Sequence, residues 1–372
     1  MIAIAWVALA ALSFQIIAAL ILQRGLRKVG SEQVEHETGA QPFLSVLIAL
    51  KNEEQNILGL LTGLDEQDYP NVEFILVDDH SSDDSLAILN AFSQGRDHFR
   101  VLQTEQEHAR KLGGKKAALQ TAIEAATHPF LVFTDGDCLP YDTHWLRRFA
   151  KFFATGSEVV IGSGFHRVGD GVVGSFYASE TIRIAAMYHA GIGLNSPYMC
   201  VGRSMGYTRQ AFDRSEGFFP HADLLTGSDD LLLQTFEEGT IIRSCPLALT
   251  VSDAPSTWNA WARQKSRHLG AAPRYPRNIA SLLMLYDLSL LSMPIVLLWS
   301  FWMGVPTMSW VLPLFIVRTV LSASNFQKII NLAGRPEEVI QLWRWEYPAS
   351  WMNALISIAA IWMKDKAWKR NP

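Results

Sequence analysis

The chain has 372 residues, 49% of them hydrophobic, and a formal net charge of -4 at pH 7. This apolar content favours a protein with membrane segments, and the absence of a long basic run interleaved with aromatic residues argues against a nucleic-acid surface. Cys138, Cys200 and Cys245 form no CxxC pair. The spacing therefore argues against a structural zinc site or a disulfide framework and predicts reduced, inert thiols in a cytosolic domain.

The first element is an apolar stretch at the N-terminus, "MIAIAWVALAALSFQIIAALIL". It is long enough for a membrane-spanning helix, which needs ~20 residues. A cleaved signal peptide is the competing interpretation, but no basic residue precedes the stretch and no clear cleavage pattern follows it. We therefore expect a transmembrane anchor over residues 1–23. Arg24, Arg27 and Lys28 follow directly, which places the next domain in the cytoplasm by the positive-inside rule.

Residues 41–270 alternate between strand and helix patterns. The continuous apolar runs "FLSVLIAL", "EFILVD" and "PFLVFTD" predict strands, and "NILGLLTGL", "SLAILNAF" and "KKAALQTAIEAA" have helical spacing. This alternation predicts an α/β domain with a mostly parallel sheet that is covered on both faces. Ligands of such sheets bind beyond the carboxyl ends of the strands.

Acidic residues follow three of these strands, in "LKNEE", "VDDHSSDD" and "TDGDC". Clustered carboxylates repel one another, so they require a cation, donors from a ligand, or both. Ser81, Ser82 and Asp83 are good N-cap residues for the next helix, but capping does not account for Asp78 and Asp79. A carboxylate there could accept a hydrogen bond from the imide N–H of a pyrimidine base.

Asp135 and Asp137, separated by Gly136, could bind one divalent ion, Mg²⁺ or Mn²⁺. Glycine between them leaves room for a ligand and frees the backbone. A lone Asp-x-Asp motif is weak evidence for a metal site because surface turns are rich in Asp and Gly. Its place among the other acidic strand ends strengthens the interpretation.

Residues 281–372 are apolar again and predict a C-terminal membrane region. "SLLMLYDLSLLSMPIVLLWSFWM" and "VPTMSWVLPLFIVRTVLSASNF" predict a helical hairpin through the bilayer. A third segment, "YPASWMNALISIAAIWM", is shorter and is followed by Lys364, Lys366, Lys369 and Arg370. A full crossing would place these charges outside, whereas a re-entrant or interfacial helix would not, so the number of crossings stays open.

Five motifs follow one another in order through residues 41–270: "LIALKNEEQNI", "VDDHSSDDS", "GGKKAALQTAI", "TDGDCLPYDTHWL" and "RQKSRHL". Together they resemble the motifs of membrane-anchored, inverting family-two glycosyltransferases with the GT-A fold. In the last motif Gln264 and Arg267 match Q-x-x-R-W, and His268 stands in place of the Trp.

The resemblance implies a nucleotide-sugar donor, with a UDP-sugar expected, and a metal at Asp135 and Asp137 that stabilises the leaving diphosphate. Lys115 matches a family lysine near the nucleotide; the plain alternative is an exposed lysine at a helix start, like Lys116. Arg267 is expected to reach the diphosphate, since a guanidinium matches phosphate geometry. The nucleotide-side residues that the resemblance implies are Glu53, Asp78, Asp79, Lys115 and Asp135.

The resemblance also implies a general base in "LLTGSDDLLLQTF". A gapless match gives Asp229, with Ser228 in place of the first acidic residue, and a slip of one residue gives Asp230. The alternative is that both are acids favoured at a helix N-terminus by the macrodipole.

The acceptor is less determined by the sequence. "YMCVGRSMGYTRQAFDRSEGF" resembles C-x-G-x-N-x-A-Y, but Ser204 and Gly206 depart from it. Trp258 and Trp261 could line the floor of a sugar subsite, or they could anchor an amphipathic helix at the membrane interface. We favour the second interpretation.

In polymerising synthases the Trp that His268 replaces is associated with the acceptor sugar. We therefore expect transfer of one or a few sugars to a lipid or lipid-linked acceptor. The expected location is the cell inner membrane, with the catalytic domain in the cytoplasm. A processive polysaccharide synthase is the alternative within the family; a nucleotidyltransferase and a catalytically silent membrane scaffold are the alternatives outside it.

Overall fold

The computed structural model describes residues 2–32, 41–167, 171–224, 226–335 and 345–363. Its strands are β1 (Leu44–Leu50), β2 (Val72–Asp78), β3 (Phe99–Gln103), β4 (Phe130–Asp135), β5 (Leu139–Pro140), β6 (Val159–Arg167), β7 (Met205–Thr208) and β8 (Ile242–Asp253). Its helices are α1 (Ile2–Glu32), α2 (Ile57–Asp65), α3 (Ser85–Ser93), α4 (Gln106–Lys111), α5 (Lys115–Ala125), α6 (Trp145–Ala154), α7 (Val172–Gly193), α8 (Arg209–Arg214), α9 (Asp230–Leu233), α10 (Trp258–Leu269), α11 (Arg277–Met303), α12 (Val305–Leu332) and α13 (Glu346–Met363).

The strands form one sheet in the order β3-β2-β1-β4-β7-β6-β8-β5. Strands β3, β2, β1 and β4 are parallel, as the alternating pattern predicts. The second half is mixed: β7 is antiparallel to β4 and to β6, β8 is parallel to β6, and β5 is antiparallel to β8. The sequence-predicted strands β1, β2 and β4 and helices α2, α3 and α5 are confirmed within a residue or two at their ends.

Both faces of the sheet are covered, which explains why its strands are continuous apolar runs. In β1, Leu47 and Ala49 pack with α5 and α7 on one face. Val46 and Ile48 point to the other face, where they pack with α2 and α6. The polar residues that follow each strand therefore lie at the rim of two apolar layers.

Within the part of the chain that the structure describes, three helices are long and apolar enough to span a membrane: Trp6–Ser31, Arg277–Met303 and Ser309–Leu332. Leu12, Leu290 and Met293 form part of the apolar core in which α1 and α11 pack together. Leu26 of α1 and Ile329 of α12 also enter the core beneath the sheet. The helices and the α/β domain therefore share packed side chains.

A buried ion pair joins α12 to α13. Arg318 donates from Nη1 to Oε2 of Glu346 at 2.6 Å and from Nη2 to Oε1 at 2.8 Å, and Gln15 of α1 accepts a further bond from Nη2 at 2.8 Å. Arg318 and Glu346 are 1% and 2% exposed. The pair fixes the start of α13 inside the helix bundle, and the basic residues Lys364, Lys366, Lys369 and Arg370 lie outside the described residues.

Candidate active site

The acidic ends of β1, β2 and β4 meet at one edge of the sheet. In the strand register Leu50 lies beside Asp78, and Ala49 lies beside Asp135. The carboxyl ends of parallel strands share an edge, so this follows from the order β2-β1-β4.

Gly136 explains the close packing of the turn after β4. A Cβ on this residue would lie 3.0 Å from Cγ of Glu53 and 3.0 Å from Cβ of Leu50. Burial raises the pKa of Glu53; a hydrogen bond from Asn56 opposes this rise, and the charges of Asp137 and Asp135 add to it. Glu53 therefore belongs to the same electrostatic cluster as the two aspartates.

Asp78 and Asp79 face different surroundings. Asp78 is fully buried, and its two carboxylate oxygens accept from the backbone N–H of Ser81 at 3.3 and 3.2 Å, so it holds the turn after β2. Asp79 accepts from Oγ1 of Thr104 at 3.0 Å and lies 3.5 Å from Nζ of Lys51. Its side chain is 14% exposed, so of the two it is the more accessible to a ligand.

The two lysines at the start of α5 differ sharply. Lys115 follows Gly114, whose φ of 51° suits glycine, and its ammonium group contacts the carboxylate of Asp135. Lys116 is 1% exposed and donates to the carbonyl oxygens of His221 and Leu224 at 2.5 and 2.9 Å. Burial lowers the pKa of Lys116 to about 8. Lys116 is thus a buried structural residue. The expectation that it is an ordinary exposed lysine at the helix start was wrong.

Asp135 and Asp137 suit a hard divalent ion. A ligand atom of each, together with Sγ of Cys138, lies within 4.8 Å of the others. Cys138 is buried, and its thiol donates to Oδ1 of Asp137 at 3.2 Å. Burial raises the pKa of Cys138 well above its usual value, which leaves the two carboxylates as the candidate donors. Oxygen ligands are those that Mg²⁺ and Mn²⁺ prefer.

The two candidate bases lie at the start of α9. Asp229 accepts a hydrogen bond from the backbone N–H of Gly202 at 2.7 Å, and its charge acts on Lys115 together with that of Asp135. Asp230 accepts from the hydroxyl of Tyr275 at 2.6 Å. Burial, and then the charge of Asp229, raise the pKa of Asp230 to about 7. Of the two, Asp229 is connected to the Asp135 side of the site.

Gln264 lies half-buried on α10, and Arg267 belongs to the same helix. The helix is fastened to α7: Glu180 accepts from Nε1 of Trp261 at 3.1 Å and from Nζ of Lys265 at 2.6 Å. Trp261 is 1% exposed, so it serves packing rather than a sugar subsite. The side chain of Arg267 lies outside what the structure describes.

The structure adds two polar residues that sequence analysis did not single out, Tyr275 and Arg203. Tyr275 lies 45 positions from its partner Asp230, and no local pattern marks such a pairing. Arg203 had a weak local signal, because it directly follows the glycine of a segment that resembles C-x-G-x-N.

Residues 45–215 match the profile of the family described as "Glycosyl transferase family 2". The chain contains a family 2 glycosyltransferase domain. Glycosyltransferase AglE of Haloferax volcanii is 30% identical over 199 residues, which cover 52% of this chain and 60% of that protein. The probable glycosyltransferase YdaM of Bacillus subtilis is 27% identical over 61% of this chain and 54% of its own. The matches thus span little more than half of these two relatives.

Beta-monoglucosyldiacylglycerol synthase of Trichormus variabilis is 35% identical over 101 residues, 27% of this chain and 21% of that protein. Among solved structures, the mannosyltransferase PcManGT of Pyrobaculum calidifontis, in complex with GDP-Man and Mn²⁺, is similar over 98% of this chain and 99% of its own, with 18% identity and a TM-score of 0.55. That likeness concerns the fold. It confirms the GT-A architecture that the five motifs of this family 2 domain predict.

Proposed function

We propose that this protein transfers a sugar from a nucleotide sugar, with inversion, to a lipid or lipid-linked acceptor at a membrane surface. The observation that carries the proposal is the grouping of Asp135, Asp137, Lys115 and Asp229 at one edge of a family 2 domain. The described residues include three helices that are long and apolar enough to span a membrane, and two of these, α1 and α12, contribute side chains to the core of that domain.

On the donor side, we assign Glu53 and Asp79 to the nucleoside, and Lys115, which contacts Asp135, to the diphosphate. Asp135 and Asp137 would hold a divalent ion, Mg²⁺ or Mn²⁺, which would neutralise charge on the leaving diphosphate. The similar PcManGT was solved with GDP-Man and Mn²⁺, which supports a nucleotide-sugar donor and a transfer reaction that depends on a divalent metal ion. We propose a UDP-sugar and include GDP-mannose in the test.

The reaction requires an attacking oxygen and a leaving group on opposite faces of the sugar. The carboxylate of Asp229 would take the proton of the acceptor hydroxyl as that oxygen forms its bond to C1. The C1–O bond to the diphosphate breaks, and its electron pair leaves with the nucleoside diphosphate. The hydrogen bond from Gly202 N–H fixes the Asp229 carboxylate in position for this role.

The apolar helices support a membrane-bound acceptor. An acceptor with a lipid tail can approach the site from the bilayer, and α10, which carries Gln264 and Arg267, is tied through Glu180 to α13. The similar synthase of Trichormus variabilis is named for a glycosylated diacylglycerol. We propose the inner membrane as the location, with the catalytic domain in the cytoplasm and one or a few sugars transferred.

The test uses the full chain purified in detergent with native lipid extract. Release of nucleoside diphosphate is measured for a panel of UDP-sugars and GDP-mannose, with Mg²⁺, Mn²⁺ or chelator. We expect turnover that requires metal and lipid and that falls by about 10²–10⁴-fold in Asp229→Asn. Asp253→Asn is the matched control, because this carboxylate is exposed and pairs with Arg167.

Product length separates the two family alternatives: a ladder of long products would favour the processive synthase. Folded wild-type protein that binds no nucleotide with any donor or metal would refute the transferase and favour the silent scaffold.

A further inference from the structure

Arg203 places a cation beyond the turn of Asp135 and Asp137, on the far side of it from Glu53 and Asp79. Its guanidinium Nη1 lies 3.0 Å from Nε2 of His166 on β6 and 3.1 Å from Oγ of Ser252 on β8. These strands lie beyond β4 and β7 in the sheet, whereas Glu53 and Asp79 follow β1 and β2.

The side chain of Arg203 lies in a preformed position against strand β6. A Cβ on Gly164 would lie 2.8 Å from Cγ, Cδ and Nε of Arg203, so only glycine at this position of β6 lets the side chain lie flat against the strand. Oγ1 of Thr250 donates to the carbonyl oxygen of Arg203 at 3.0 Å and fixes the backbone. The guanidinium is therefore held in one direction before any ligand arrives.

The side chains that this guanidinium contacts, His166 and Ser252, carry no negative charge. None of the ion pairs at 4.0 Å or less among the described residues includes Arg203. Burial opposes its charge, but Cys138, Tyr177, Asp137 and Asp135 raise the pKa of Arg203, so it remains cationic. A guanidinium that is positioned by an imidazole and a hydroxyl keeps N–H donors for an anionic oxygen.

We propose that Arg203 recognises an anionic group, phosphate or carboxylate, on the sugar acceptor. This inference rests on the proposed function. Arg203 directly follows Gly202, whose N–H holds the carboxylate of Asp229. An acceptor hydroxyl in contact with Asp229 therefore places the neighbouring part of the acceptor near Arg203. The substrate class is then an acidic lipid or an acidic glycan on a lipid, and neutral diacylglycerols are poor acceptors.

The donor diphosphate is the other possible source of the anion. Lys115 already contacts Asp135, and its helix α5 packs against β1 and β2, the strands that precede the nucleotide residues. Arg203 approaches from β6 and β8. The geometry thus favours the acceptor, and the experiment has an arm for each source.

The experiment separates native lipid extract by anion exchange into neutral and anionic fractions. Each serves as acceptor for the full chain in detergent, with the donor found active in the panel. We expect wild type to glycosylate the anionic fraction. Arg203→Met should raise the KM for that fraction by about tenfold or more, and Arg203→Lys should recover part of the loss. Arg167→Met is the control, since this neighbouring arginine is half-exposed and pairs with Asp253.

Calorimetric binding of nucleoside diphosphate with Mn²⁺ is measured on the same variants. Unchanged binding in Arg203→Met shows a folded donor site and supports the acceptor assignment. Equal weakening of nucleoside diphosphate binding would assign the anion to the donor and overturn the proposal, as would wild-type transfer to the neutral fraction or an unchanged KM in the variant. No transfer by wild type to either fraction would remove the proposed function itself.

Discussion

At the scale of single residues, Asp229 and Asp230 have adjacent positions but different partners. Asp229 is bound by the backbone N–H of Gly202, and Asp230 by the hydroxyl of Tyr275. Burial, and then the charge of Asp229, raise the pKa of Asp230 to about 7, so the ionisation of one carboxylate affects the other. The charges of both aspartates also act on Lys116. The ionisation state of this pair should govern proton removal from the acceptor.

Tyr275→Phe should shift the acid limb of the pH–rate profile to higher pH. Burial and Asp229 raise the pKa of Asp230 to about 7, and the Tyr275 hydroxyl opposes that rise. Loss of the hydroxyl leaves the charged form less stabilised, so deprotonation requires a higher pH, by up to about one unit. The measurement is kcat/KM against pH. Tyr69→Phe, whose hydroxyl donates to Pro42, should leave the limb in place; equal profiles for all three proteins would contradict the prediction.

Gly136→Ala should weaken metal and donor binding with a small effect on folding. Its new methyl group would meet Glu53 and Leu50 at 3.0 Å and push the turn that carries Asp135 and Asp137 outward. Because carboxylate placement sets metal affinity, we expect donor affinity to fall by about tenfold or more. The measurement is titration of nucleoside diphosphate with Mn²⁺.

Gly59→Ala is the control for that substitution. It lies in α2, and a Cβ there meets Leu139 at 3.7 Å, an ordinary contact. Alanine favours a helix, so this variant should bind as wild type does. Weakened binding in both variants would point to a general effect of added methyl groups.

At the scale of elements, Glu180 fastens α10 to its surroundings. It is 2% exposed and accepts from Trp261 and Lys265 of α10 and from Nδ2 of Asn353 of α13 at 2.7 Å. Burial alone would raise its pKa, but Lys265, Arg183 and Trp261 lower the pKa of Glu180 to about 2. Its stabilising effect is therefore present above about 4.5, its usual value, and is lost as the pH falls toward 2.

Glu180→Gln should loosen α10. The amide removes the charge that pairs with Lys265 and leaves this ammonium, on a side chain that is only 15% exposed, without its carboxylate. Breaking a fully buried pair costs about 3 kcal/mol or more, which is an upper guide for this one. Since α10 carries Gln264, transfer activity should fall as well. The measurement is hydrogen exchange over residues 258–269 at pH 7, compared with Glu237→Gln, an exposed side chain. Equal protection in the two variants would show that Glu180 does not hold the helix.

The local sequence pattern predicted strands in the parallel half of the sheet but did not predict the mixed half. Strands β1, β2 and β4 are continuous apolar runs that end in acidic residues, so their type and their shared edge follow from the sequence. The antiparallel β7 has four residues, and α7 buries Glu180, Arg183 and His189 inside the protein, which no amphipathic pattern indicates. In the site, the strand-end acids were predicted, whereas Arg203 and Tyr275 were missed because their partners are distant in the chain.

At the scale of the whole molecule, the apolar helices and the α/β domain form continuous packing. α1 contributes Leu12 to the helix bundle and Leu26 to the core beneath the sheet, so a change in the bundle can reach the site. Arg318, Glu346 and Gln15 form a polar group that joins α12 and α13 to α1, where Gln15 lies 303 positions from Arg318.

Arg318→Met should destabilise the entire chain, because it leaves the Glu346 carboxylate buried without its cation. Breaking one side of such a pair costs about 3–5 kcal/mol, whereas replacing both charges by apolar groups is often close to neutral. The double variant Arg318→Met with Glu346→Met should therefore unfold at a higher temperature than the single variant. The measurement is thermal unfolding in detergent, followed by tryptophan fluorescence and by nucleoside diphosphate binding. If both readouts fall together in the single variant and recover together in the double variant, the bundle supports the site. A single variant as stable as wild type would mean that the ion pair adds nothing to the coupling between the apolar helices and the α/β domain.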